Sequence, residues 1–73
     1  MSMMIRLNGV PRAIAAATVG ALVAELAGAG RLDRSGHGIA VARNGAVVPR
    51  SRWDETRLAP DDAIELVRAT QGG

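Results

Sequence analysis

The sequence predicts an α+β fold in which one helix covers one face of a mixed sheet of four to five strands. Three observations carry that prediction. Apolar residues alternate with polar or small ones at Met3–Leu7, Ile39–Arg43 and Ile64–Ala69, a single helical stripe runs from Val19 to Ala27, and two Asn-Gly pairs fall between candidate strands. Each such element has one apolar face, and a chain of 73 residues has room to bury those faces only against one another.

The elements follow in order. Met3, Ile5 and Leu7 share one side of a first strand, with Met4, Arg6 and Asn8 on the other. Asn8-Gly9 tolerates positive φ at both positions, the strongest short hairpin signal, so Val10 to Ala15 should return as a second strand. Pro11 marks that strand as a sheet edge, because proline lacks the N–H that a central strand needs. Thr18 offers a capping oxygen to a helix over Val19–Ala27, where Val19, Leu22, Val23, Leu26 and Ala27 form the apolar stripe. Gly20 lowers its helix propensity, and Gly28 and Gly30 are stop signals.

Ala29 to Gly38 is polar and glycine-bearing and reads as a mobile loop. Ile39–Arg43 is the third strand, Asn44-Gly45 a second hairpin turn, and Ala46–Val48 the returning strand that Pro49 ends. Ser51 to Thr56 reads as a turn or short helix carrying Trp53, and Pro60-Asp61-Asp62 as a further turn. Ile64–Ala69 is the last strand, with Ile64 and Leu66 inward. If the first and last strands lie side by side at the sheet centre they run parallel, an architecture known as the β-grasp. Repeats and linkers are absent, so residues 1–73 are expected to form a single domain with a flexible tail at 70–73.

Composition narrows the function. There is no cysteine and His37 is the only histidine, so neither disulfides nor a thiolate metal site is available, and no metal or bound cofactor is expected. All nine basic residues are arginine, and the pI of about 11.1 reflects the missing lysines while the formal net charge is only +2. The arginines are scattered and Trp53 is the lone aromatic, which does not make a nucleic-acid groove. No apolar run is long enough to span a bilayer and no signal-peptide pattern opens the chain, so a cytoplasmic location with no membrane partner is expected.

Several runs resemble the ThiS family, the ubiquitin-like sulfur carriers of thiamin biosynthesis. They are Ile5-Arg6-Leu7-Asn8-Gly9 at the start, Val41 to Trp53 through Asn44-Gly45 and Val47-Val48-Pro49-Arg50, and Leu58 to Val67 leading to the terminal Gly72-Gly73. The resemblance spans nearly the whole chain and is weakest over Ala29–His37. It implies a carrier that is not itself an enzyme. A ubiquitin-activating-like adenylyltransferase would use ATP to form an acyl-adenylate on the Gly73 carboxylate. A persulfide donor would convert that to a thiocarboxylate (1-thioglycine), and thiazole synthase would receive the sulfur. Gly72 and Gly73 suit this role sterically, since a Cβ at either position would hold the backbone away from the phosphate it must reach.

The other residues have ordinary readings. Trp53 is expected to pack a small cluster under its loop, His37 to be an exposed loop residue, and Asp61-Asp62 to be plain turn residues. Ala40, Ala42, Val67 and Ala69 should face outward from the sheet as a small apolar docking patch, framed by Arg43 and Arg68. Alternatives are the small subunit of molybdopterin synthase, another sulfur-transfer route, a conjugated ubiquitin-like modifier, or a non-covalent interaction module. Arg68-Ala69-Thr70-Gln71 lacks the proline and aromatics that resemblance to the molybdopterin type implies, and a chain without lysine cannot form isopeptide chains on itself.

Overall fold

The computed structural model describes residues 2–28 and 38–68. The elements run β1 (Met3–Leu7), β2 (Val10–Ile14), α1 (Val19–Gly28), β3 (Ile39–Arg43), β4 (Ala46–Val48), a 3₁₀ turn at Arg50–Arg52, and β5 (Ala63–Arg68). Five strands form one sheet in the order β2-β1-β5-β3-β4. The first and last strands are adjacent and parallel near the sheet centre, while β1·β2, β3·β4 and β3·β5 are antiparallel. This is the β-grasp arrangement expected from the element order, with five strands and with Pro11 on an edge strand.

Both Asn-Gly pairs are tight hairpin turns with positive φ at each central residue: 52° and 83° at Asn8-Gly9, 51° and 85° at Asn44-Gly45. That geometry matches the right-handed twist of the flanking strands and fixes the register on either side. Inward residues alternate as the sequence requires. Ile5, Ile14, Val41 and Ile64 from the sheet meet Val19, Leu22, Val23 and Leu26 from α1, and all are buried. Met3, Leu7, Ile39, Val48 and Leu66 pack around that centre, and Ala27 lies half-buried at its rim.

The crossover between β4 and β5 is more ordered than its sequence suggests, and it closes the N-terminus of α1. Helices begin with four N–H groups that lack intrahelical acceptors. Here Val19 N–H donates to the Thr56 carbonyl at 2.9 Å and Gly20 N–H to the Trp53 carbonyl at 2.9 Å. Ala21 N–H donates to Thr18 Oγ1 at 3.1 Å, the cap the sequence predicts. Gly20 permits this close approach. A Cβ there would collide with the Asp54 carboxylate, with the Asp54 Cγ 3.3 Å away. Trp53 is buried under the same crossover, its indole N–H donating to the Val48 carbonyl at 3.0 Å and the Arg50 guanidinium lying over its ring at 5.7 Å. The packing role expected of Trp53 is what the structure displays.

Candidate functional site

The sequence assigns the chemistry to Gly72 and Gly73, which lie outside the described residues, as do Ala69, His37 and the loop through residue 37. What the structure describes is the platform that leads to them. β5 is the central strand of the five, so the chain leaves the described fold from the middle of the sheet.

The outer face beside that exit is set by the β3·β5 register. Ala40 stands opposite Val67 and Ala42 opposite Glu65, and β4 places Val47 beside Ala42. Val67 is 60 % exposed and Val47 75 % exposed. The structure therefore brings Ala40, Ala42 and Val67 together on one open face, as alternation predicts. It adds Val47, which is absent from the patch expected above although the two-residue turn at Asn44-Gly45 already pairs it with Ala42. It also adds Glu65, an exposed charge beside the small apolar side chains.

Arg43 does not leave β3 on that face. Its register partner is Ile64, one of the buried residues, and its side chain turns to the sheet end where Nε donates to Asp62 Oδ2 at 2.7 Å. The backbone of Arg68 pairs with Ile39, and its side chain, like Ala69, lies outside what the structure describes. The period-2 rule explains Arg43: residues 39, 41 and 43 share one side of a strand.

Asp62, expected to be a plain turn residue, is instead the polar centre of this sheet end. It is 7 % exposed. Besides Arg43, its carboxylate accepts from Asn44 Nδ2 at 3.0 Å and from the Ala59 N–H at 2.8 Å. Burial opposes its ionisation, but the donors from Asn44, Ala59 and Arg43 outweigh that and hold its carboxyl below the ordinary aspartate range. The group is structural: it ties the β3–β4 turn to the start of β5. Among the described residues no cluster of three or more His, Asp or Glu side chains could hold a metal, and no helix is long and apolar enough to cross a membrane.

The model of the ThiS family matches residues 5–73, nearly the full length and through the terminal glycine pair. The chain belongs to the ThiS family. Among solved structures, the thiamine biosynthesis protein ThiS from Geobacter metallireducens is similar at 29% sequence identity and a TM-score of 0.68, covering 97% of this chain and 100% of that one. The comparison with curated proteins gives no match. The fit of this ThiS-family chain to that structure extends over the β-grasp platform, with its five-stranded mixed sheet and one helix.

Proposed function

We propose that this chain is the sulfur carrier of thiamin biosynthesis and that it carries sulfur as a thiocarboxylate on Gly73. The observation that supports this best is the family match, which runs through Gly72-Gly73, over a fold in which the central strand is the last described element before them. A carboxylate is a poor electrophile because its charge is delocalised and oxide is a poor leaving group. Attack of the Gly73 carboxylate on the α-phosphorus of ATP forms a mixed anhydride and releases pyrophosphate. The terminal sulfur of a partner's persulfide then attacks the acyl carbon and AMP departs. A second thiol breaks the S–S bond, forming a disulfide with the donor and leaving the thiocarboxylate, whose soft sulfur is the nucleophile delivered to thiazole synthase.

In this scheme the chain is a cosubstrate. The adenylyltransferase, the persulfide donor and the thiazole synthase supply the catalytic groups, and ATP-dependent loading belongs in the cytoplasm. The carrier supplies a terminus without side chains and a surface to be recognised by. Ala40, Ala42, Val67 and Val47 form the recognition face in this proposal. Intact mass spectrometry after incubation with ATP, the adenylyltransferase and a sulfur donor tests the reading. A mass gain equal to exchanging one oxygen for sulfur, absent when Gly73 is deleted, is the expected result. An unchanged mass beside a control carrier that is loaded would overturn it.

A further inference from the structure

The two hairpin turns share the dipeptide Asn-Gly, yet turn geometry alone does not require asparagine, since Asp-Gly or Gly-Gly serves as well. In this fold both asparagine side chains do something more: each grips β5 from one side. Asn44 accepts from the Ala63 N–H at 2.9 Å and donates its own backbone N–H to the Ala63 carbonyl at 2.7 Å, at the start of the strand. Asn8 acts nearer the other end. Its Oδ1 accepts from the Leu66 N–H at 2.9 Å, its Nδ2 donates to the Leu66 carbonyl at 3.3 Å, and its backbone N–H donates to the Ile64 carbonyl at 2.8 Å.

The asymmetry of the two ladders gives the Asn8 contacts their importance. On the β3 side, β5 is paired from Ile64 to Arg68. On the β1 side the register covers only Arg6–Ala63 and Leu7–Ile64, because β1 ends at Leu7 and the chain turns away. The Asn8 amide stands in for one more peptide group of β1 and extends the two-sided grip to Leu66. From there, two residues complete β5 before the chain passes to the segment that ends in Gly72-Gly73.

We propose that Asn8 is a positioning residue for sulfur loading, fixing the end of β5 so that docking of the sheet face and delivery of the Gly73 carboxylate form one preset geometry. This rests on the carrier reading above. The amide is needed because it both accepts and donates; a carboxylate at position 8 keeps the acceptor for Leu66 N–H but turns a second acceptor toward the Leu66 carbonyl. With the clamp gone, β3 still holds the outer face, so docking persists. The strand end is then anchored on one side only, and the terminal carboxylate reaches the ATP phosphate at a lower effective concentration.

The test compares Asn8→Gly, Asn8→Asp and, as the matched control, Asn44→Gly. Glycine accepts the positive φ at either turn, and N44G removes the side-chain grip at the far end of β5 together with a donor to Asp62, so it is at least as disruptive to the fold. Steady-state adenylation is followed by pyrophosphate release with the adenylyltransferase and ATP, varying carrier concentration, with amide exchange of the free carriers measured in parallel. Expected for N8G and N8D is a fall in kcat of about twofold to fivefold at unchanged KM, the scale of lost preorganisation in a short tether, with faster exchange at Leu66 and Val67. N44G should keep the wild-type kcat. A residue that merely stabilises the fold would instead lower the folded fraction, raising the apparent KM with kcat unchanged. That pattern, an equal fall in N44G, or unaltered exchange at Leu66 would overturn the assignment of Asn8. A wild-type chain that is not adenylated at all would overturn the carrier reading itself, which separates the two failures.

Discussion

Replacing Asp62 tests how the platform is held together. Asp62 is 7 % exposed, and its carboxylate satisfies three donors from two parts of the chain: Arg43 and Asn44 on one side and the Ala59 N–H on the other. Asp62→Ala leaves the Asn44 amide and the Ala59 N–H without their acceptor. Arg43, with its side chain 34% exposed, can turn to water, so its loss is smaller. Hydrogen bonds to a charged acceptor contribute about 1.5–3 kcal/mol each, and because Asn44 and Ala59 are exposed residues whose donors can turn to water, the net expectation is a loss of roughly 2–3 kcal/mol in all. A chain of this length at about 0.05–0.15 kcal/mol per residue has roughly 4–11 kcal/mol in total. The melting temperature should therefore fall by roughly 10–20 °C.

The pH dependence follows from the sign of the shift. Asp62 has a folded pKa below the ordinary 3.8, because its hydrogen bonds and the Arg43 charge overcome the opposing effect of burial. Its contribution is fully present above the unfolded value and is lost as pH falls through the folded one, so it weakens in acid below about pH 4. Urea unfolding followed by Trp53 fluorescence, at neutral pH and across the acid range, measures both effects, since Trp53 is the only aromatic residue. Asp62→Asn should be nearly as destabilising, because its NH₂ must face donors. It should also flatten the part of the acid dependence that Asp62 supplies. A D62N variant with wild-type stability and wild-type acid sensitivity would contradict this account.

Trp53→Phe removes the hydrogen bond to Val48 and leaves a small void, so calorimetry should show a loss of about 1–3 kcal/mol. Gly20→Ala should be close to neutral alone, because better helix propensity is offset by displacement of the Asp54 carboxylate; in an Asp54→Ala background the same change should stabilise by about 0.5–1 kcal/mol, and simple additivity in the double-mutant cycle would refute that coupling. Val67→Asp places a charge on an exposed side chain and should leave the melting temperature nearly unchanged while raising KM for adenylation about tenfold, as loss of an apolar interface contact does. An unchanged KM would remove Val67 from the recognition face.

Much of the fold was legible because local signals agreed with one another. Alternation set the inward residues of β1, β3 and β5, and the two Asn-Gly turns fixed the hairpins that alternation implied. The same rule, carried one residue further, puts Arg43 on the side of Ile39 and Val41; treating it as a frame for Ala40 and Ala42 gave weight to its charge over its parity. Asp62 left no local signature. Its donors come from positions 43, 44 and 59, and only the closed sheet brings them to residue 62. The same is true of the crossover, whose carbonyls at Trp53 and Thr56 meet the first N–H groups of α1 by tertiary approach. Gly72-Gly73 lie outside the described residues and rest on the sequence motif in its context, since glycine carries no side chain whose packing could announce a role.

The place of β5 in the sheet bears on how a partner can handle this chain. An enzyme that draws in the residues after Arg68 pulls along the axis of β5. Because β5 lies between β1 and β3, that force acts along two ladders at once and loads their hydrogen bonds in shear. An edge strand such as β4, bonded only to β3, is exposed to being peeled away one bond at a time. The distinction matters for a domain whose whole stability is only roughly 4–11 kcal/mol. The five-pair register with β3 reaches Arg68, whereas the β1 register stops at Ile64 and needs the Asn8 amide to carry the hold on to Leu66. A central, doubly gripped strand thus lets a small body present its terminus to a partner without being unravelled by it.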